Sequence, residues 1–273
     1  MASIDLRSRP VVITGASSGI GAATAFACAR AGMPVGLLAR REEKLEETRS
    51  KIEREGGRAI VVVGDVADTD ANQELIAKSE EAFGDLYGVI ANAGYGAEVE
   101  CATMPIEDIR KMLEVNFFGS MFLVQPAVAK FRERGAGHAI MVSSCLSKIG
   151  LPHYGAYSGS KAMQDHFCRA MRHELRGTGV FVSSVHPVGT KTEFFDEAAK
   201  KSKGGKLSLA GSSERFMQSP EKVAGAMVKC LRRPRGEVWT SPMARIGFGA
   251  SVMLPGMTDW VLGRMVEKRG RRD

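Results

Sequence analysis

The chain has 273 residues, 44% hydrophobic and 25% charged, the balance of a globular protein with a full core. Its five cysteines include no CxxC pair and its longest uncharged run, 115–129, has 15 residues, which excludes a disulfide frame, a cysteine zinc site and a spanning helix of the usual length of about 18. The net charge of +7 is uneven: residues 1–190 carry 21 Lys+Arg against 22 Asp+Glu, residues 191–273 carry 17 against 9, and no nucleic-acid motif accompanies the excess.

In chain order, residues 1–9 are polar and show no signal-peptide pattern. Short β-branched runs at 11–14, 35–39, 59–63, 88–91, 139–143, 180–185 and 237–240 predict strands. Segments of helical composition fall between them, at 20–31, 41–55, 70–83, 106–133, 155–176 and 220–232. This alternation predicts one α/β domain over 1–240, a doubly wound parallel sheet with right-handed crossovers and helices on both faces. The runs lack polar alternation, as strands buried on both faces do. Two stretches break the rhythm. Residues 191–218 are polar, Lys-rich and contain Gly204-Gly205, and are expected to form a lid over a site. Residues 241–273 are an apolar and basic extension. We expect Met253, Leu254, Met257, Trp260, Val261, Leu262, Met265 and Val266 to pack on the same domain or a sister subunit. Arg264, Lys268, Arg269, Arg271 and Arg272 would stay exposed. An amphipathic membrane-surface helix is the rival reading.

Gly15, Gly19 and Gly21 occupy the turn between the first strand and the first helix, in the run Thr14-Gly15-Ala16-Ser17-Ser18-Gly19-Ile20-Gly21. Such a turn brings backbone N–H groups and a helix N-terminus up to a pyrophosphate. The second strand then ends Leu38-Ala39-Arg40-Arg41, with no carboxylate where a ribose 2′-hydroxyl would need one. A guanidinium there can grip a 2′-phosphate, so Arg40 points to NADP(H). A strand-end cap paired with the glutamates at 42–47 is the plain alternative.

Tyr157 and Lys161 lie four apart in a helical segment and share a face. A neighbouring ammonium favours phenolate and lowers a tyrosine pKa from about 10. Tyr157 could then act as general acid or base, with Ser144 holding the substrate oxygen. Cys145 is read as a small buried residue that could also line the pocket, and His153 and His186 as pocket wall or packing.

These residues together resemble the short-chain dehydrogenases/reductases, over residues 10–240. The resemblance implies a seven-stranded sheet in the order 3-2-1-4-5-6-7 and carbonyl–alcohol chemistry on a nicotinamide cofactor. It implies a catalytic set of Asn116, Ser144, Tyr157 and Lys161, with Asn116 holding a water on the proton relay. It implies cofactor contacts at Gly15, Ser17, Ser18, Gly19, Ile20 and Gly21, at Arg40, at Asp65-Val66 over the adenine, and at Asn92-Ala93-Gly94. Tyr157, Lys161, Pro187, Thr190 and Thr192 complete the set around the nicotinamide. Two positions depart from the pattern. Val188 stands where the family has a glycine, and Ser18 where many NADP-preferring members carry a base, so the NADP(H) expectation rests on Arg40. No metal is expected. A dimer or tetramer paired through 106–133 and 155–176 is expected, in the cytoplasm. The alternatives are a membrane-peripheral lipid or steroid dehydrogenase and a non-catalytic dinucleotide-binding regulator.

Overall fold

The computed structural model describes residues 3–202 and 217–269. Its strands are β1 Val11–Thr14, β2 Val35–Ala39, β3 Ala59–Val63, β4 Gly88–Ala91, β5 Gly137–Val142, β6 Val180–His186 and β7 Glu237–Trp239. All seven pair in parallel, in the order β3-β2-β1-β4-β5-β6-β7. β1, β2, β4 and β5 are buried along their whole length, because helices cover both faces.

The period of two in each strand divides the core. Val11, Ile13, Val35, Leu37 and Ile90 face helices α1 Gly19–Arg30, α2 Glu42–Arg54 and α8 Pro220–Arg232. Val12, Leu38, Val89 and Ala91 face α3 Thr69–Phe83, α5 Gly119–Arg134 and α6 Gly155–Glu174. Leu37 is wholly buried, and Leu37→Ala would cost about 2–5 kcal/mol. Chain direction out of the sheet reverses between β1 and β4, which opens a crevice at their carboxyl ends, where α/β sheets bind ligands.

The segment expected as one helix over 106–133 is three pieces. α4 Ile106–Leu113 runs into a π-helical turn, Glu114–Phe118, before α5. The wide turn shifts the register so that Asn116 points into the domain, fully buried. The stretch 106–134 is long and apolar enough to cross a membrane by length and composition, yet Leu123, Val124, Ala127 and Phe131 are core residues.

Of the stretch expected as a lid, 191–202 is described and carries a helix, α7 Phe194–Lys201, while 203–216 lie outside the described residues. The last strand is followed by a helical hairpin, α9 Pro242–Met253 and α10 Pro255–Arg269. α9 touches β7 and the turn at 145–148, with the Phe248 ring 6.2 Å from that of Trp239, and α10 packs on α9. Among the described residues, none covers most of the apolar side chains named in this segment. Met253, Leu254, Met257, Trp260, Val261, Met265 and Val266 are all exposed, and no residue of α9 is buried.

Candidate active site

The crevice at the carboxyl ends of β1, β4 and β5 is a cleft of ≈ 540 Å³. Its floor is the turn between β1 and α1. Gly15 and Gly19 have φ of +65° and +55°, a left-handed conformation that glycine adopts without strain. A Cβ on Gly21 would lie 2.1 Å from the Gly15 carbonyl oxygen, so the loop closes on itself only as glycine. The first turn of α1 has no side-chain cap, which leaves its N–H groups directed at the cleft. That cradle fits a dinucleotide pyrophosphate.

Thr14 at the end of β1 ties this floor to the next strand. Its hydroxyl accepts from the Asn92 and Ala93 amides, at 3.1 and 3.2 Å, and the Asn92 side chain donates back to the Thr14 carbonyl at 2.9 Å. Asn92, Ala93 and Gly94 therefore line the cleft beside Gly15. Asp65 and Val66 line the opposite end, where the Asp65 carboxylate accepts from the Ala67 amide and lies 3.7 Å from Arg40.

Both arginines after β2 reach the cleft, with different partners. Arg40 is exposed at the rim. Arg41 lies over the glycine loop and donates to the hydroxyls of Ser17 at 3.1 Å and Ser18 at 2.6 Å. Arg41 and Lys44 also bind the Glu193 carboxylate at the start of α7. Hydrogen bonds from Lys44 and then Arg41 hold Glu193 down at a pKa of about 2. Thr192, one residue earlier, packs across the loop, its methyl 3.0 Å from where a Cβ on Gly19 would stand. Pro187, Thr190 and Thr192 complete that wall, and Thr190 is held by hydrogen bonds to Val188 and Gln218.

Ser144, Tyr157 and Lys161 converge on the cleft from two elements. β5 ends at Val142, one residue before the predicted end, and Ser144 caps the 3-10 turn Cys145–Lys148, accepting from the Leu146 amide at 3.1 Å. Tyr157 is half-buried in the first turns of α6, its ring 5.5 Å from Phe194. Burial raises its phenol pKa, and a hydrogen bond with Ser144 works against that rise. Lys161 is buried, with its Nζ 6.0 Å from the centre of the Tyr157 ring. It donates to the Val142 carbonyl at 2.8 Å and the Gln164 side chain at 3.0 Å, and burial lowers its pKa to about 7. The sequence argument gave the ammonium the task of lowering the phenol pKa. In the structure burial acts on both groups, and Ser144 is the neighbour that favours phenolate.

Asn116 lies one shell out. Its side chain exchanges two hydrogen bonds with the Tyr95 backbone, both 2.9 Å, and donates to Ser160 at 3.0 Å. Its own carbonyl accepts from Gln164 at 2.6 Å. The chain Asn116–Gln164–Lys161 is thus continuous without a water. Gln164 was not singled out in the sequence. Its signal was there, an uncharged polar residue one turn past Lys161 on the same face.

The residues from Thr14 to Thr192 lie within the stretch that matches a family: the short chain dehydrogenase family covers residues 9–203. The chain is a short-chain dehydrogenase/reductase. The chain is 34% identical over 189 residues to an uncharacterized oxidoreductase of Myxococcus xanthus, covering 69% of this chain and 75% of that one. It is 29% identical over 260 residues to the 3-dehydrosphinganine reductase of Danio rerio, covering 93% and 77%. Among solved structures, an alcohol dehydrogenase from Thermococcus sibiricus complexed with 5-hydroxy-NADP aligns with a TM-score of 0.73 at 28% identity, covering 85% of this chain and 95% of that one. A Burkholderia phymatum short-chain dehydrogenase/reductase in complex with NAD aligns at 0.84 with 22% identity, covering 93% and 96%, and shows the shared fold.

Behind Ser144 lies a second cluster that the sequence did not disclose. Lys148 lies 2.5 Å from Asp165 and 3.4 Å from Glu237. His186 is fully buried, not in the cleft wall. One ring nitrogen meets Asp165 at 3.4 Å and Ser184 at 3.1 Å, and the other meets the Ser144 carbonyl at 3.1 Å. The Trp239 indole stacks on the imidazole at 4.6 Å. Hydrogen bonds to His186 and Lys148 outweigh burial and hold the Asp165 carboxyl far below its usual range. Asp165, His186 and Glu237 could hold a metal by spacing alone, but Lys148 already supplies the cation. Cys145, beside Ser144, is both buried and part of the cleft wall, and burial raises its thiol to about 11.

Proposed function

We propose that the protein is an NADP(H)-dependent oxidoreductase that interconverts a ketone or aldehyde and an alcohol. The convergence of Ser144, Tyr157 and Lys161 at the end of a dinucleotide-sized cleft carries this reading. A nicotinamide cofactor held along this cleft would supply or accept the hydride. Ser144 holds the substrate oxygen beside the Tyr157 hydroxyl, which gives a proton to that oxygen in reduction and takes it in oxidation. Lys161, with its pKa near 7, refills the phenol at neutral pH, and Gln164 and Asn116 keep the ammonium aimed. Leu146, Leu151, Tyr154 and Phe195 give the substrate end an apolar wall, which favours a bulky apolar carbonyl.

The preference for NADP(H) rests on Arg40 and Arg41 at the rim and on the lack of a carboxylate at the end of β2. Arg41, already on the Ser17 and Ser18 hydroxyls, shares the 2′-phosphate with Arg40 in this reading. The five free thiols suit the reducing cytoplasm. Phe118, exposed in the π-helical turn before α5, and Phe167, exposed on α6, both pack on Phe117 and suit subunit pairing through those helices. Turnover with NADPH and with NADH on a panel of aldehydes and ketones tests the reading. Faster, tighter use of NADPH is expected. Equal use of both would remove the arginine argument, and no turnover on any carbonyl would favour a non-catalytic dinucleotide sensor.

A further inference from the structure

The exposed apolar side chains are not scattered. Of the fourteen large hydrophobics exposed among the described residues, ten lie on the α9–α10 hairpin. Met243 and Met253 are 83% and 82% exposed. α9 leans on the body through Phe248 and turns Met243, Ile246, Val252 and Met253 outward. The corner between the helices continues this face with Leu254 and Met257, and α10 adds Trp260, Val261, Met265 and Val266. Ten exposed apolar side chains concentrated on two adjoining helices mark a site of association rather than ordinary surface.

Charge and position indicate what covers it. Residues 241–273 carry three acids, Asp259, Glu267 and Asp273, against six bases, four of them in the run Lys268-Arg269-Gly270-Arg271-Arg272. The guanidinium of Arg264 lies over the Trp260 ring, 4.3 Å from its centre, an aromatic–basic pair suited to the level of lipid headgroups. A two-fold pairing of these faces in two copies would bring a second set of the same six cations into the interface, with only three acids per copy to meet them. An anionic lipid surface meets both features at once, taking the apolar face among its chains and the bases among its headgroups. α9 also touches the 145–148 turn, whose Leu146 lines the cleft.

We infer that the α9–α10 hairpin is an interfacial dock for an anionic lipid bilayer, seating the substrate end of the cleft beside the membrane surface. The inference does not depend on which carbonyl is reduced or on the cofactor.

Flotation of the full chain with vesicles of phosphatidylcholine alone, or of phosphatidylcholine with phosphatidylglycerol, tests it. The chain should float with the anionic vesicles, less with the neutral ones, and should be released in part by high salt. The double variant Met253→Glu, Leu254→Glu, at exposed positions that bear no core load, should keep its thermal melt and cofactor affinity and lose vesicle binding by roughly tenfold or more. Failure of the unmutated chain to float with anionic vesicles overturns the inference. So does a variant that still floats as well as the original. If the original does not float but the variant halves the particle mass in light scattering, the face belongs to a second copy. The fluorescence of Trp260 separates the cases further, since insertion shifts its emission to the blue on adding vesicles alone.

Discussion

Two lysines flank Ser144, and they have opposite surroundings. Lys161 is buried among neutral acceptors, the Val142 carbonyl and the Gln164 amide, with no carboxylate within ion-pair distance. Lys148 sits between two carboxylates, Asp165 and Glu237. A buried ammonium held only by dipoles keeps its proton loosely, as the lowered pKa of Lys161 records. One enclosed by carboxylates is a fixed cation whose loss strands two negative charges. The same side chain would thus serve as a proton carrier at one site, in the function proposed above, and as a structural strut at the other, and its partners decide which.

Exchanging each lysine for methionine is the most direct way to break that contrast. Tyr157→Phe marks the top of the scale, since removing the proton-transferring hydroxyl should lower turnover by about 10²–10⁴-fold with folding and cofactor binding kept. Lys161→Met should lose turnover toward the same range while leaving the cofactor-free protein at least as stable. Lys148→Met should do the reverse. It leaves Asp165 and Glu237 without their lysine and should cost about 3 kcal/mol in urea unfolding, with the remaining folded protein active. If both variants lose stability alike and activity alike, the division of roles is wrong. Asp165→Leu combined with Lys148→Met should restore part of the stability, because the more buried of the two stranded charges goes with its partner.

A smaller effect sharpens the same comparison by pH. Burial takes Lys161 from 10.5 to about 7, so between those values the unfolded chain binds a proton that the folded chain does not. Stability should therefore rise with pH in that window for this group. The buried thiols oppose it above their ordinary 9.0, so the clean interval is pH 7 to 9. The slope of unfolding free energy there should be smaller in Lys161→Met than in the unmutated chain, measured by urea melts at each pH. No difference would mean that Lys161 titrates in the folded protein as it does in water.

The smallest expected change is at the rim. Arg40→Asp should weaken NADPH by about 1.5–3 kcal/mol and favour NADH in relative terms, read by fluorescence titration of both cofactors. Arg41→Ala should weaken NADPH too. Comparable NADPH affinity in Arg40→Asp would assign the phosphate to Arg41 alone.

The front of the site was legible in the sequence because its parts are local. The glycine loop lies within eight residues, and Tyr157 and Lys161 within one helical turn. The strands announced themselves by apolar runs that needed no partner to be recognised. The strut behind Ser144 was not legible. Lys148, Asp165, His186 and Glu237 come from a turn, a helix and two strands, and only the β5–β6–β7 pairing brings them together. His186 reads in sequence as any histidine near a strand end. The π-helical turn at 114–118 was hidden by a continuous helical pattern. The C-terminal segment shows the opposite limit: its apolar composition was plain, but composition alone does not say which side of a helix the body leaves bare.

Glu193 gives the phosphate end of the cleft a gatekeeping property. Its carboxylate already occupies Arg41 and Lys44, and all three groups stay in contact with water. Such exposed pairs hold by only about 0–1 kcal/mol, so they yield readily to a ligand that gains elsewhere. A stray phosphate or sulfate has little else to gain and must compete with an anion that is already tethered at high local concentration. A dinucleotide brings its adenine, pyrophosphate and nicotinamide contacts with it and can displace the carboxylate. If the cleft holds a dinucleotide as proposed, the resident anion would act as a filter that sets a minimum size and complexity for whatever is admitted.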